Sequence, residues 1–274
     1  MTMSRTWLIT GASSGFGRLL AERVASAGDH VIAVARRSGP LGDLAAKAPG
    51  RITPVVLDIT DKEAGQIVKS AVDHADGLNV LVNNAGYGLM APVEQTDDAA
   101  ARSIFETNFF AGLTILQAAL PALQASHGRV IQISSYLGQV VWPGAALYSA
   151  TKAAVEAISA ALAVELEPLG VSVTTIQPGI FRTEFRASVP MVEPNKLYAN
   201  TVGTFLSELL ALPESALGDP TLVVDAVMTA ATHPKPPLRL AVGRDAVQGI
   251  RSALTKQLAE IAEWEPVSIG GAEK

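Results

Sequence analysis

The sequence predicts an α/β fold, an open doubly wound sheet of about seven parallel strands with helices on both faces. Short apolar, β-branched runs alternate with longer helical patterns along the chain. Most of the runs lack polar alternation, as strands covered on both faces do. Short connections between alternating elements imply parallel strands joined by right-handed crossovers. Strands are expected at residues 7–10, 31–35, 53–57, 79–82, 129–133, 171–176 and 238–242, and helices near 17–27, 61–74, 99–124 and 148–167. Thr60-Asp61-Lys62-Glu63 reads as a capping box opening the second of these helices.

Length and composition agree with one large domain, expected over residues 1–264, with a lid or binding loop within 180–220 and a flexible tail at 265–274. Hydrophobic residues make up 49% of the 274 and charged residues 17%, which excludes a disordered chain. A net charge of −5 leaves no cation surplus for nucleic acid. With no cysteine, a disulfide framework, a thiolate zinc site and an iron–sulfur cluster are all excluded. The first ten residues are too polar for a signal peptide. Residues 107–128 and 130–151 carry no charge and are long enough to span a bilayer, but both contain glutamine and proline. They read as buried elements or a subunit contact, so a cytoplasmic protein without membrane or nucleic-acid partners is expected.

The first strand runs into Thr10-Gly-Ala-Ser-Ser-Gly-Phe-Gly17, and a helix follows. Glycines at 11, 15 and 17 allow a tight turn, and a pyrophosphate can then approach backbone N–H groups and the helix N-terminus. This Rossmann-type context assigns Gly11, Ser13, Ser14, Gly15, Phe16 and Gly17 to dinucleotide binding. The same residues also spell Gly11-x-Ser13-x-Gly15, a nucleophile-elbow pattern. A serine hydrolase using Ser13 would have only Asp225 and His233 in the required order, and only ten residues precede Gly11 to supply an oxyanion loop.

An NAD-selective fold places a carboxylate about 20 residues after the glycines. Arg36 and Arg37 stand there instead, and guanidinium suits a 2′-phosphate, so NADP(H) is the expected cofactor. Asp58, with Ile59 beside it, closes the third strand where a carboxylate meets the adenine. Tyr148 and Lys152 are four residues apart, on one face of a helix. A fixed cation there is expected to lower the phenol pKa. Tyr136 has Val140 at the equivalent position and serves as a control. The four histidines are scattered and suggest no metal site.

Taken together, these markers resemble the short-chain dehydrogenase/reductase family from Trp7 to about Phe185, nearest to bacterial NADP-dependent members acting on ketones, hydroxysteroids or retinoids. Asn83-Asn84-Ala85-Gly86 is similar to the family's motif after the fourth strand, with Asn84, Ala85 and Gly86 at the cofactor. Asn108 and Ser135 lie at the family's distances from Tyr148. Pro178-Gly179-Ile180 and Thr183 resemble the stretch that holds the nicotinamide carboxamide. The resemblance implies hydride transfer, with Tyr148 as general acid/base and Ser135 orienting the carbonyl. Lys152 would hold the ribose, and Asn108 would support a proton relay. Tyr87, Leu89, Met90, Val140, Trp142, Phe181, Phe185 and Met191 are expected to wall a pocket for a hydrophobic carbonyl or alcohol, with Arg182 and Arg186 near its mouth. The apolar stretches at 107–124, without charge, and 153–164, with Glu156 its one charge, predict a homodimer or homotetramer. A non-catalytic NADP(H) sensor, or an epimerase or dehydratase of the wider family, remains as an alternative on the same fold.

Overall fold

The computed structural model describes residues 4–270. Seven strands, β1 (Thr6–Thr10), β2 (His30–Ala35), β3 (Ile52–Val56), β4 (Val80–Asn83), β5 (Arg129–Ile133), β6 (Ser172–Pro178) and β7 (Arg239–Val242), form one parallel sheet in the order β3-β2-β1-β4-β5-β6-β7. Ten α-helices are described: α1 (Gly15–Ser26), α2 (Ser38–Lys47), α3 (Ala64–His74), α4 (Asp98–Phe105), α5 (Ala111–Ser126), α6 (Ala146–Leu166), α7 (Glu184–Ala187), α8 (Thr204–Leu210), α9 (Thr221–Thr232) and α10 (Arg244–Ser268).

Alternation along each strand divides the core in two. Trp7, Ile9, Val31, Ala33, Val80, Val82 and Ile131 face the layer holding α1 and α9. Leu8, Ile32, Val34, Leu81 and Val130 face α3 and α5, with Leu162 and Leu166 of α6 in the same cluster. The inner strands therefore bury both faces, which is why their sequences read as apolar runs, whereas the edge strands β3 and β7 stay partly exposed. The order of strands reverses between β1 and β4, and a crevice at the carboxyl ends there is where such sheets take ligands.

Several expectations are corrected. The capping box at 60–63 does not form, and α3 begins at Ala64. Asp58 Oδ1 instead accepts from the Thr60 N–H and hydroxyl, and Asp61 Oδ1 accepts from the Glu63 N–H, so aspartate turns take the groups a box needs. The helix expected at 99–124 is broken by a π-helical turn at Glu106–Phe110, which joins α4 to α5. Residues 265–268, expected in a flexible tail, continue α10, and 271–274 lie outside the described residues. α4–α5 and α6 are long and apolar enough to cross a membrane by composition alone. Here both helical stretches pack as layers of the α/β body, α5 against α3 and α6 against β6.

Candidate active site

β1 delivers the chain at Thr10, and the turn that follows needs glycine. Gly11 has φ 68° and Gly15 φ 53°. A Cβ at Gly11 would lie 2.8 Å from Asn84 Nδ2, and one at Gly17 would lie 2.5 Å from the Gly11 carbonyl oxygen. Asn84 explains that crowding: its Nδ2 donates to the Thr10 carbonyl at 2.8 Å, while the Asn84 and Ala85 N–H groups both donate to Thr10 Oγ1 at 3.0 Å. The loops after β1 and β4 are thus stitched together at the switch point, beside the N-terminus of α1.

Arg36 and Arg37 follow β2 at the rim of the same groove. The Arg36 guanidinium stands 3.6 Å from Asp58. Burial works to raise the Asp58 pKa, but hydrogen bonds from Thr60 and the Arg36 cation hold it below the usual value. Arg37 donates to Ser13 Oγ at 3.2 Å and approaches Glu184 at 3.7 Å. The hydrolase arrangement is not assembled: Asp225 pairs with Arg23 at 3.0 Å, and His233 Nδ1 accepts the Lys235 N–H.

Tyr148 and Lys152 lie on the first turns of α6, both buried. Burial raises the Tyr148 pKa to about 12, against the downward pull of a hydrogen bond from Ser135. Burial also lowers Lys152 to about 8, against the attraction of Glu156. The expected lowering of the phenol by Lys152 does not dominate here. Nζ donates to the Ile133 carbonyl at 2.9 Å and lies 5.8 Å from the Tyr148 ring centroid, so desolvation outweighs it. The control, Tyr136, is held higher still by burial and by the nearby Asp245 charge. Ser135 sits just past β5, its Oγ accepting the Leu137 N–H at 3.1 Å. Neighbouring Ser134 is buried with no hydrogen-bond partner for its hydroxyl.

Asn108 occupies the π-helical turn. Its Oδ1 accepts the Tyr87 N–H at 2.9 Å, and its Nδ2 donates to the Tyr87 carbonyl at 2.8 Å and to Thr151 Oγ1 at 3.2 Å. The turn therefore serves to aim this amide at the loop after β4. A cavity of about 20 Å³, bounded by Asn108, Lys152, Asn83 and Gln132 among others, lies behind it.

A cleft of about 800 Å³ joins these parts and reaches the apolar cluster at the carboxyl end of the sheet. Gly11, Ser13, Ser14, Gly15, Phe16, Arg36, Arg37, Asp58, Ile59, Asn84, Ala85, Gly86, Pro178, Gly179, Ile180 and Thr183 line one part of it, with Ser135, Tyr148 and Lys152 between, whereas Gly17 is buried beneath the turn. Tyr87, Leu89, Met90, Trp142, Phe181, Phe185 and Met191 line the rest. Val140 does not line the cleft: it packs towards Gly249 on α10. Arg182 is exposed, and the Arg186 side chain lies outside the described residues. Phe185, on the short α7, stands over Tyr148 with ring centroids 5.8 Å apart. The segment beyond it is tied back to the body where the Met90 N–H donates to the Pro190 carbonyl and the Val192 N–H to the Met90 carbonyl.

Asp245, unremarkable in the sequence, opens α10 and accepts the Ile180 N–H at 2.7 Å. Gly179 is obligatory beneath it, because a Cβ there would collide with the carboxylate. Glycine at 243, with φ 102°, lets the helix start at that point. Only the long-range fold brings residues 179 and 245 together.

Residues 5–193 match the family described as short chain dehydrogenase. An oxidoreductase of Botryotinia fuckeliana is 36% identical over 277 residues, covering 98% of this chain and all of that protein. A short-chain dehydrogenase of Streptomyces avermitilis, solved by crystallography, superposes with a TM-score of 0.91 at 40% identity, covering 99% of this chain and 100% of the other. One from Burkholderia cenocepacia in complex with NADP gives 0.75 at 29% identity, covering 95% and 97%.

Proposed function

The chain belongs to the short-chain dehydrogenase/reductase family, and from that premise we propose that it is an NADPH-dependent reductase of hydrophobic ketones or aldehydes. The observation that carries this reading is the position of Tyr148, buried beside Ser135 and Lys152 between the glycine-lined groove and the apolar part of the cleft.

The groove fits a dinucleotide phosphate. A Cβ at Gly15 would meet nothing nearer than Thr183 at 3.9 Å, so the backbone there is open to a pyrophosphate, while Gly11 and Gly17 keep the turn itself close-packed against Asn84. Gly11, Ser13, Ser14, Gly15 and Phe16 would hold the pyrophosphate and its ribose, and Arg36 and Arg37 the 2′-phosphate. Asp58 and Ile59 would flank the adenine, with Asn84, Ala85 and Gly86 along the adenosine side. Pro178, Gly179, Ile180 and Thr183 would receive the nicotinamide. When bound, the nicotinamide supplies or accepts the hydride.

The protein's part is to place and neutralise the oxygen on which charge builds. Ser135 donates a hydrogen bond to that oxygen, and Tyr148 delivers a proton to it. Burial keeps the phenol protonated at neutral pH, the form that donates a proton in the reductive direction. Lys152 stabilises the tyrosinate left behind and would hydrogen-bond the nicotinamide ribose. The cavity of about 20 Å³ between Asn108 and Lys152 has room for one water, through which the proton is replaced. Tyr87, Trp142, Phe181, Phe185 and Met191 select an apolar substrate. Exposed apolar residues on α5 and α6 and the turn before them, Phe110 and Val164 among them, suit a homodimer contact.

The test follows NADPH consumption against a panel of apolar ketones and aldehydes. Consumption that is faster with NADPH than with NADH is expected. In Tyr148→Phe it should fall at least a thousandfold while NADPH still binds. A Tyr148→Phe variant with full activity would overturn the assignment.

A further inference from the structure

α10 begins as part of the body and ends outside it. Ala246 and Ile250 pack into the cluster at the carboxyl end of the sheet. Beyond them Leu254 is 44% exposed, Leu258 67%, Ile261 66% and Trp264 59%. Val247, Ile250, Leu254, Leu258 and Ile261 recur at intervals of three or four, so they form one stripe. The stripe that anchors the first turns therefore continues, uncovered, along the projecting half.

Charge along this helix is distributed asymmetrically about Leu258. Arg251 and Lys256 precede it, and Glu260, Glu263 and Glu265 follow. Arg251 and Glu265 lie seven residues to either side. Seven residues are close to two turns, so both stand nearly in line with Leu258, one towards each end of the stripe. We propose that the projecting half of α10 pairs with the same segment of a second copy, antiparallel, about a two-fold axis at Leu258.

That pairing buries Leu258 against its own equivalent and Leu254 beside the partner's Ile261. It also sets Arg251 against the partner's Glu265, and Glu265 against the partner's Arg251. A two-fold contact repeats every interaction, so one complementary pair becomes two. A parallel pairing would stack basic on basic and acidic on acidic. An anionic membrane surface is a poorer partner, because the charges beyond Leu258 among the described residues are all acidic. The contact is separate from the face of α5 and α6 and from the reductase reading.

The chain contains no cysteine, so single-cysteine variants report on geometry cleanly. In the full-length protein, Leu258→Cys on the axis should give a disulfide-linked dimer under mild oxidation. Glu263→Cys, on the far side of the helix, should not. In sedimentation, Arg251→Glu should weaken association at least tenfold, and adding Glu265→Arg should restore it. Each variant should bind NADPH as the parent does, which separates loss of the contact from loss of the fold. Equal cross-linking at positions 258 and 263, or a mass unaffected by Arg251→Glu, would overturn the proposal. Flotation with phosphatidylcholine–phosphatidylglycerol vesicles that is lost in Leu258→Glu, with no change of mass, would also overturn it in favour of lipid.

Discussion

Tyr148 and Lys152 are held in the interior with pKa values moved in opposite directions, the phenol up to about 12 and the ammonium down to about 8. Both movements have one cause, since burial disfavours whichever form is charged. For Lys152 the consequence for stability follows by linkage. In the unfolded chain it titrates at its ordinary 10.5, so between about pH 8 and 10.5 the unfolded state binds more protons than the folded one. This group's contribution therefore becomes more favourable as the pH rises through that window, and below pH 8 its full burial cost is present. Lys152→Met should remove that cost. We expect it to abolish reduction and yet raise the melting temperature at pH 7 by about 2–4 °C, the equivalent of roughly 1 kcal/mol after loss of the bond to the Ile133 carbonyl. Calorimetry from pH 7 to 10 checks the sign. A variant less stable than the parent at pH 7 would show that Lys152 supports the fold.

Helices and loops decide where those side chains stand, and here the sequence was legible to different depths. The glycine loop could be read because its residues are adjacent and the backbone conformations they allow are rare. Tyr148 and Lys152 share a helix face by spacing alone. Asp245 could not be read, because nothing local links it to Ile180, sixty-five residues away in sequence. α2 was hidden by Gly39, Pro40 and Gly42 in its opening turns, and α9 by the β-branched Thr221, Val223 and Val224 at its start. Val140 was misplaced because an apolar residue beside Trp142 has two directions available, and contact with α10 settles which one it takes. The Asp245 bond makes a prediction at this scale. Asp245→Asn keeps the shape but weakens the acceptor of the Ile180 N–H, so the loop carrying Gly179 and Thr183 should loosen. KM for NADPH should rise several-fold and kcat fall about tenfold, with the melting temperature within 2 °C of the parent. A fall in melting temperature with unchanged kinetic constants would mean that Asp245 only starts the helix.

At the scale of the whole molecule, one sheet carries the nucleotide groove and the apolar part of the cleft, so occupancy of the groove should be felt by the entire fold. A ligand at a hundred times its dissociation constant adds about 2.7 kcal/mol to stability. At roughly 2–4 °C per kcal/mol for a chain of this size, that is a shift of about 5–10 °C. The two arginines determine which nucleotide produces it. Both are exposed, Arg36 opposite Asp58 and Arg37 between Ser13 and Glu184, and exposed pairs of this kind contribute little that a phosphate cannot replace. A 2′-phosphate offers three acceptor oxygens to the two guanidiniums. NADPH should therefore raise the melting temperature more than NADH at equal concentration. Arg37→Ala should lower the NADPH shift towards that of NADH while leaving the NADH shift in place, because the other groups of the groove are untouched. Glu184→Gln should act the other way, since it removes a carboxylate that competes for Arg37. Thermal melts of the parent and both variants with each nucleotide decide the matter. Equal shifts for NADH and NADPH in the parent would remove the arginines from cofactor selection.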